Sequence, residues 1–255
     1  MFTADRFAAI LGIAGFFIAM LVVGRLLKRP ASDLAISVIL SGIVGARLVH
    51  ILVHAESFMA EPLRVFYVWQ GGFNVWGGIL GIALALALQV RKLPLLASTI
   101  AATIVGFGIW GGALLLVQQT TGAPLPRTAL MTIEGERINL AQFRGEPMVI
   151  NLWASWCPPC VREMPMFAEA ARENPGVNFV FVNQGEGADD IEAFLAYQNL
   201  SLEHVILDPT WAVSRNYDAR GLPATLFINS DGIVSAVYAG EVSPELMEDR
   251  VSALQ

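Results

Sequence analysis

Four long apolar stretches in the first half of this 255-residue chain constrain its fold more than any other feature. They run over Phe7–Gly24, Leu34–Val53, roughly Phe73–Val90 and roughly Leu95–Val117, and each approaches the ~20 residues that a helix needs to cross a bilayer. Hydrophobic residues make up 55% of the chain and its mean hydropathy is +0.57, too apolar for one ordinary soluble domain. The first half is therefore predicted to be an all-α transmembrane domain of four helices.

A cleaved signal peptide is the alternative for the first stretch. Signal peptides begin with a basic region and end at a cleavage site of small residues. The first stretch lacks a basic region at its start, and Arg25, Lys28 and Arg29 follow it directly where a cleavage site would stand. We therefore expect an uncleaved membrane helix.

The basic residues predict how the helices are oriented. Membrane-protein loops that stay in the cytoplasm carry an excess of Lys and Arg. Such residues follow the first and the third stretch, at Arg25, Lys28, Arg29, Arg91 and Lys92. The sequence therefore predicts a multi-pass protein of the bacterial inner membrane. Its N-terminus and everything after the fourth stretch are expected on the extracytoplasmic, periplasmic side.

Charge separates the chain into two parts. Up to Thr121 there are eight Lys or Arg and four Asp or Glu, a net charge of +4; from Gly122 there are eight Arg and eighteen acidic residues, a net charge of −10, which together give the −6 of the chain. We predict a transmembrane domain over residues 1–118, a linker over 119–128 and a soluble domain over 129–255. The acidic domain offers no basic surface for phosphates, which argues against nucleic acid as a partner.

The two cysteines of the chain, Cys157 and Cys160, both lie in the segment WCPPCVRE. The segment follows a continuous apolar run, Pro147–Ala154, that is typical of a buried strand, and a helix is expected from Pro158 to Glu173. A thiolate at a helix N-terminus is stabilised by the helix dipole, so Cys157 is expected to be the nucleophile, exposed and partly ionised. The more buried Cys160 would then resolve the mixed disulfide.

A structural disulfide, a zinc site and a haem attachment site are the alternatives for this pair. Zinc takes about four ligands, and the chain has no other cysteine. Haem attachment requires a histidine directly after the second cysteine, where this chain has Val161. We therefore predict a redox-active disulfide, with no other cofactor and no metal. His50 and His54, four residues apart on a predicted helix, are expected to be structural rather than metal ligands.

The remainder of the soluble domain alternates short strands with helices, which predicts an α/β fold. Strands are expected at ALMTI and RINL, which form a hairpin, at Asn178–Gln184, at HVILD and on both sides of the NSDG turn in ATLFINSDGIVSAVYAG. Helices are expected at DDIEAFLAYQ with Asp189 as N-cap, at TWAVSRNY over about two turns, and at SPELMEDRVSAL with Ser243 as N-cap.

The strand, the WCPPC motif, the helix and the later GLPATLFI resemble the thioredoxin fold. INLAQFRGEPMVINLWASWCPPCVREMP with VNQGEG is similar to the membrane-anchored thiol-disulfide reductases of the TlpA/ResA type. The resemblance implies an oxidoreductase that acts on protein disulfides. It also implies a cis peptide bond before Pro223, which would present the backbone of Leu222 and Pro223 to a substrate chain. Trp156, Pro158 and Pro159 complete the expected substrate-binding set.

Four other residues have expected roles, the first three of them by resemblance. The family carries an acid at the position of Glu163, which implies a proton-handling role, with a solvated helix residue as the alternative. Asn151 stands where cytosolic thioredoxins keep a buried Asp. Glu186 lies near the site or is a plain loop acid, and Trp153 is expected in the core.

The direction of electron flow depends on how well the Cys157 thiolate is stabilised, because a better-held thiolate makes the pair more oxidising. Pro158 and Pro159 have no N–H to donate, and a carboxylate at Glu163 disfavours a nearby thiolate. These features predict a reductase; an oxidase or isomerase of secreted proteins is the alternative. The membrane part contains no cysteine, so a transmembrane thiol protein, CcdA/DsbD-like by resemblance, is the expected electron donor.

The segment Gly45–Gly81 resembles the prolipoprotein diacylglyceryl transferase family, most clearly at FMAEPL, VWQGG and GGILG. That family has a His where this chain has Trp76, and it has an essential Arg and Asn in later helices that the fourth stretch lacks. The resemblance implies a scaffold in contact with membrane lipid and without transferase activity; lipid binding or lipoprotein lipidation is the alternative. Arg47, within the second stretch, is either a structural polar anchor or the remnant of a lipid site.

Overall fold

The computed structural model describes residues 4–26, 28, 32–89, 93–117, 122–126, 128–217, 219 and 221–255. The chain divides into two compact units, Phe2–Gln118 and Gln119–Gln255. Of the basic residues that predict the orientation, Arg29, Arg91 and Lys92 lie outside the described residues, as do residues 118–121 at the predicted domain boundary.

The first unit is all-α. Its helices are α1 (Ala4–Leu26), α2 (Ser32–Val53), the short α3 (Ala55–Ala60), α4 (Val75–Gln89) and α5 (Leu93–Val117). Among the described residues, α1, α2 and α5 are long and apolar enough to cross a membrane. The prediction of an all-α region with several helices apolar enough to span a membrane is confirmed.

The third predicted stretch, roughly Phe73–Val90, contains α4 (Val75–Gln89), which starts two residues later than predicted. Residues 90–92, which follow Gln89, lie outside the described residues. The helix starts late because the side chain of Asn74 accepts a hydrogen bond from the Gly77 amide at 3.1 Å, as an N-cap does. Before it, Gly71 and Gly72 have φ values of +90° and +77°, which a helix does not accommodate.

Glycines bring these helices together in two pairs. A Cβ atom on Gly45 of α2 would lie 2.4 Å from the Gly77 carbonyl oxygen of α4, so the two backbones touch. Helices α1 and α5 meet in the same way, since a Cβ atom on Gly12 would lie 2.9 Å from the Gly106 oxygen. Small residues allow this close approach in apolar helices, where packing and not water exclusion drives association.

Arg47 joins α2 to the segment that precedes α4. Its Nε and both terminal nitrogens donate to the carbonyl oxygens of Arg64, Val65, Gly71 and Gly72 at 2.7–3.3 Å. Five contacts match the five N–H groups of a guanidinium. Arg47 is therefore a structural polar anchor, because its donors are directed to the protein backbone.

The second unit is a seven-stranded mixed sheet flanked by helices. In chain order it contains β1 (Ala129–Thr132), β2 (Arg137–Asn139), β3 (Met148–Trp153), α6 (Pro158–Glu173), β4 (Asn178–Gln184), α7 (Ala188–Gln198), β5 (His204–Asp208), α8 (Ala212–Asn216), β6 (Ala224–Ile228), β7 (Val234–Ala239) and α9 (Pro244–Ser252). The strand order is β2-β1-β5-β4-β3-β6-β7. Strand β3 runs parallel to β4 and antiparallel to β6, so the predicted thioredoxin fold is confirmed.

The alternation of β3 decides which of its side chains reach the site. Val149 and Trp153 point into the core beneath α6, α7 and α9, whereas Ile150 and Leu152 point into the core on the opposite face with α8. Because successive residues of a strand face opposite sides, Asn151 lies on the α6 face between Val149 and Trp153. A polar side chain is thus placed in the middle of an apolar layer.

Two helix starts differ from the prediction. Gly187, and not Asp189, is the N-cap of α7, so Asp189 lies in the first turn, where its charge still favours the helix dipole. Helix α8 is shorter than predicted because Trp211 adopts a left-handed conformation before it. The Ser243 side chain accepts from the Leu246 amide at 3.3 Å and caps α9, as predicted.

The predicted linker is in part built into the domain. The Gly122 amide donates to the Val234 oxygen at 2.8 Å, and Leu125 is buried. The hydroxyl of Tyr217 donates to the Pro124 oxygen at 3.1 Å, and burial raises the pKa of Tyr217 to about 12. Residues 122–125 are therefore fixed to the edge of the sheet beside β7 and do not act as a free spacer.

Candidate active site

The two cysteines lie just after β3, at the beginning of α6. Cys157 is the N-cap of α6, and its sulfur is bonded to that of Cys160. The Cys160 amide donates to the Cys157 sulfur at 3.3 Å, which is the hydrogen bond that an N-cap side chain accepts. The predicted pairing of the first cysteine with the helix N-terminus is therefore present in the structure.

Cys157 is less accessible than predicted. Only 4% of Cys157 is exposed and Cys160 is fully buried, so the expected order of burial holds but the exposure of the nucleophile does not. Cys157 is bonded to Cys160, and both cysteines are packed in the core with Met164 and Phe167. The exposed part of the site is the neighbouring Trp156, of which 61% is exposed.

The two prolines of the motif occupy the first positions of α6. Proline is favoured there because the first helical amides have no partner within the helix, but it also removes those donors. Among the described residues, the hydrogen bond to the Cys157 sulfur comes from Cys160 alone. Pro158 and Pro159 thus leave a thiolate at Cys157 with few donors.

Glu163 lies one turn after Cys160 on α6 and is 3% exposed. Its two carboxyl oxygens accept hydrogen bonds from the Asn151 side chain at 2.9 Å and from the Val242 amide at 3.1 Å. Burial raises the pKa of Glu163 to about 8, against the lowering effect of these two hydrogen bonds. The alternative of a solvated helix residue is wrong, because the carboxyl group is enclosed by β3, α6 and the segment before α9.

The raised pKa also corrects one step of the sequence argument. A carboxylate at Glu163 was expected to repel the cysteine thiolate, but a group with a pKa of about 8 is mostly protonated at neutral pH. At pH 7 Glu163 therefore carries a proton and little charge. The Cys157 thiolate is weakly stabilised because Pro158 and Pro159 have no N–H to donate to it.

Asn151 takes part in this buried group from the centre of the sheet. It pairs in register with Thr225 of β6, whose hydroxyl oxygen is 3.5 Å from the Asn151 side-chain nitrogen. The side-chain oxygen of Asn151 is buried and has no hydrogen-bond partner among the described residues. A neutral amide thus stands where cytosolic thioredoxins have an acid, and Glu163 is the buried acid here.

Leu222 and Pro223 come to the same end of the sheet. The peptide bond between them is cis, as expected. Pro223 precedes β6, and Ala224 pairs with Leu152 near the end of β3, five residues before Cys157. The Pro223 carbonyl oxygen accepts from the Gly240 amide at 2.7 Å, so this oxygen is occupied within the domain.

Glu186 lies beside the active-site loop, which decides between the two expectations for it. Its carboxylate accepts from the Ser155 amide at 2.7 Å, from the Ser155 hydroxyl and from the Asn183 side chain at 2.7 Å. Ser155 is two residues before Cys157. Glu186 therefore holds the loop that carries Trp156 and the nucleophile.

The tryptophans of the site separate as predicted, with one addition. Trp153 is fully buried and Trp156 is exposed. The ring of Trp211 lies 6.4 Å from that of Trp156, measured between centroids, although 55 positions separate them in the chain. Sequence analysis missed Trp211 because its segment was expected to be an ordinary helix.

The buried Glu163 predicts a pH-dependent stability. Between pH 4.5, the ordinary value, and about 8, only the folded state keeps this carboxyl protonated, so the free energy of unfolding falls as pH rises through that window. The expected slope is at most about 1.4 kcal/mol per pH unit. Glu163→Gln should remove it in denaturant titrations from pH 4 to 9, while Glu169→Gln, an exposed position on the same helix, should retain it. Equal slopes in both variants would contradict the assignment.

Comparison with known families agrees with this architecture. Residues 120–254, more than half of the chain, match the Redoxin family, and residues 6–121 match the prolipoprotein diacylglyceryl transferase family. The second match covers most of the first unit and agrees with the resemblance around Gly45–Gly81.

Individual relatives share the second unit. The thiol-disulfide oxidoreductase ResA of Bacillus subtilis (strain 168) is 30% identical over 52% of this chain and 75% of its own length. ResA of Halalkalibacterium halodurans is 32% identical over 47% of this chain and 69% of its own length. The solved structure of dsbF from MTB, in mixed oxidized and reduced forms, has 27% identity and a TM-score of 0.48 and covers 51% of this chain and 99% of that one.

The disulfide at the start of α6, the cis-proline loop beside it and the family matches lead to one assignment. The chain belongs to the Redoxin family, in which it is a thiol-disulfide oxidoreductase related to ResA, joined to an amino-terminal region of the prolipoprotein diacylglyceryl transferase type.

Proposed function

We propose that this protein is a membrane-anchored, extracytoplasmic reductase of protein disulfides. The observation that carries the proposed direction is the environment of Cys157. Among the described residues its sulfur receives one hydrogen bond, from Cys160, and the two positions between the cysteines are prolines without an N–H. A poorly stabilised thiolate favours the disulfide form of the protein, and hence reduction of the substrate.

The reaction proceeds by two exchanges of sulfur bonds. In the reduced protein the Cys157 thiolate attacks one sulfur of the substrate disulfide; the substrate S–S bond breaks, and the leaving thiolate takes up a proton. The Cys160 thiolate then attacks the Cys157 sulfur and releases the second substrate thiol. Two electrons and two protons pass to the substrate, and the protein ends with the Cys157–Cys160 disulfide present in this structure.

Glu163 is proposed to handle the proton of Cys160. It lies three residues beyond Cys160 on α6, so both side chains are on the same side of the helix. Its pKa of about 8 is close to that of a thiol, which suits transfer in either direction near neutral pH. Glu163 thereby supplies the buried acid–base group, since the side chain of Asn151 is a neutral amide.

The substrate chain is proposed to lie across Trp156, Pro158 and Pro159, opposite Leu222 and Pro223. Trp156 is exposed, and the cis peptide brings the loop before β6 to the same end of the sheet. Apocytochromes, copper-site assembly proteins and oxidised secreted proteins are all substrates of this chemical class.

The first unit is proposed to anchor the oxidoreductase in the inner membrane, in contact with lipid and without transferase activity. Arg47 is directed to backbone carbonyls, and Trp76, at the position of the transferase family's His, is exposed. With four crossings and basic loops in the cytoplasm, the oxidoreductase unit lies on the periplasmic side. A CcdA/DsbD-like transmembrane thiol protein is the proposed electron donor.

The reduction potential of the full-length protein in detergent tests the direction. Equilibration with dithiothreitol or glutathione buffers should give a value near that of thioredoxin, about −270 mV. A value near that of the strong oxidant DsbA, about −120 mV, would show that the protein forms disulfides and would establish the oxidase alternative.

Labelling of single cysteines tests the location. In a Cys157→Ser/Cys160→Ser background, Tyr197→Cys places a thiol at a position that is 86% exposed, and Lys28→Cys places one in the loop after α1. In intact spheroplasts a membrane-impermeant maleimide should label the first variant. It should label the second only after permeabilisation. The opposite pattern would place the oxidoreductase in the cytoplasm.

Trapping tests the electron donor. Cys160→Ser leaves Cys157 able to form a mixed disulfide that it cannot resolve. Cells that produce this variant should contain a covalent complex with a cysteine-bearing transmembrane protein, and the complex should disappear on reduction. The double variant Cys157→Ser/Cys160→Ser is the control. The partnership is rejected if no such membrane protein is trapped during growth with active disulfide exchange.

A further inference from the structure

Trp211 has a backbone conformation that bulky residues seldom adopt. Its φ and ψ are +58° and +32°, in the left-handed region, where a side chain crowds the following carbonyl group. Glycine occupies this region without cost, and asparagine does so at low cost. Such strain persists only where the surrounding structure enforces it, and it is concentrated at functional sites.

Hydrogen bonds on both sides enforce this conformation. The Trp211 amide donates to the Asp208 oxygen at 3.2 Å, and the Trp211 oxygen accepts from the Ser214 hydroxyl at 3.0 Å and the Arg215 amide at 3.1 Å. The buried carboxylate of Asp208 accepts from the amides of Ala212 and Val213, each at 2.8 Å, and so fixes the start of α8. The backbone of Trp211 is held before and after its Cα atom.

The indole ring lies over a position that has no side chain. A Cβ atom on Gly185 would be 2.9 Å from the Trp211 ring nitrogen, so only glycine leaves room for the ring. Gly185 has a φ of +85° and is followed by Glu186, which holds Ser155 of the active-site loop. One short segment after β4 therefore makes space for Trp211 and fixes the loop that carries Trp156.

These constraints bring two tryptophans together beside the nucleophile. The rings of Trp156 and Trp211 are 6.4 Å apart between centroids and inclined by 34°, within the range of aromatic pairs. Trp156 directly precedes Cys157 and is 61% exposed. Trp211 is partly buried. The pair therefore presents an aromatic surface in which Trp156, the residue directly before the nucleophile, is the exposed ring.

We propose that Trp156 and Trp211 form a docking surface for the apolar residues next to the cysteine of a protein substrate, with Trp211 determining specificity. The proposal rests on the proposed function, because the occupant is the chain whose disulfide is exchanged. A substrate cysteine bonded to Cys157 lies about 2 Å from its sulfur. Trp156 directly precedes Cys157 and is exposed, so it is available to the residues next to that cysteine. Apolar neighbours gain from covering two indole rings, whereas serine neighbours gain little.

Two peptide disulfides that differ only beside the cysteine test this proposal. One has phenylalanine on each side of the cysteine and the other has serine. With the reduced full-length protein in detergent, Trp211→Gly should slow reduction of the phenylalanine peptide about tenfold and leave that of the serine peptide unchanged. Trp211→Phe should retain most of the preference for the phenylalanine peptide.

Stability and remote-site controls separate a docking role from a structural one. Glycine adopts a φ of +58° readily, so Trp211→Gly should not lower the unfolding midpoint in denaturant by loss of the backbone conformation. Tyr197→Ala removes an exposed aromatic ring at the far end of α7, the helix that begins after Glu186. This variant should leave the reduction rates of both peptides unchanged. Equal slowing of both peptides by Trp211→Gly, or no slowing of either, would overturn the proposal.

The outcome does not depend on the direction of electron flow. If the reduction potential shows an oxidase, the same two peptides are supplied as dithiols and their oxidation by the disulfide form is followed. A phenylalanine preference that Trp211→Gly abolishes would then support the docking surface while the proposed direction fails. Absence of the preference in the working direction rejects the docking surface alone.

Discussion

The oxidoreductase unit depends on a buried carboxyl group that forms no ion pair with the residues that the structure describes. Glu163 is held between Asn151 of β3 and the Val242 amide before α9, and desolvation keeps its proton on up to a pH of about 8. The two hydrogen bonds connect the central strand, the active-site helix and the last helix at one point. Because Glu163 lies one turn after Cys160 on α6, the group that joins these elements is also a buried acid beside the redox pair.

The remaining parts of the site are positioned by the ends of strands. Trp153 ends β3, Gln184 ends β4 and Ala224 begins β6, and the loops attached there carry Cys157, Glu186 and the cis peptide before Pro223. Glu186 secures the first loop through Ser155. The loop with Glu186 and the loop with the cis peptide thus lie around the nucleophile Cys157, which belongs to the loop after β3. In this way a sheet brings segments that are distant in the chain into one site.

In the first unit, polar backbone groups before α4 need hydrogen-bond partners within an apolar helical domain. The chain between α3 and α4 is not regular α-helix, so its carbonyl groups need donors. Arg47 supplies them, and its two flanking aromatic rings, Phe58 and Phe73, lie within 6 Å of the guanidinium carbon. Arg47, a charged residue within an apolar helix, thus holds the segment before α4.

Local patterns in the sequence determined much of this protein. The apolar lengths indicated the membrane helices, the continuous run before WCPPC indicated β3, and Ser243 with Pro244 marked the start of α9, because each signal lies within a few residues of the element it specifies. Only the tertiary structure decided the features that depend on distant neighbours. The protonation of Glu163 follows from burial among three elements, the role of Arg47 from a loop 17 or more residues away, and the place of Trp211 from a glycine on another strand end. Desolvation and close packing arise between segments, so no short stretch of sequence contains them.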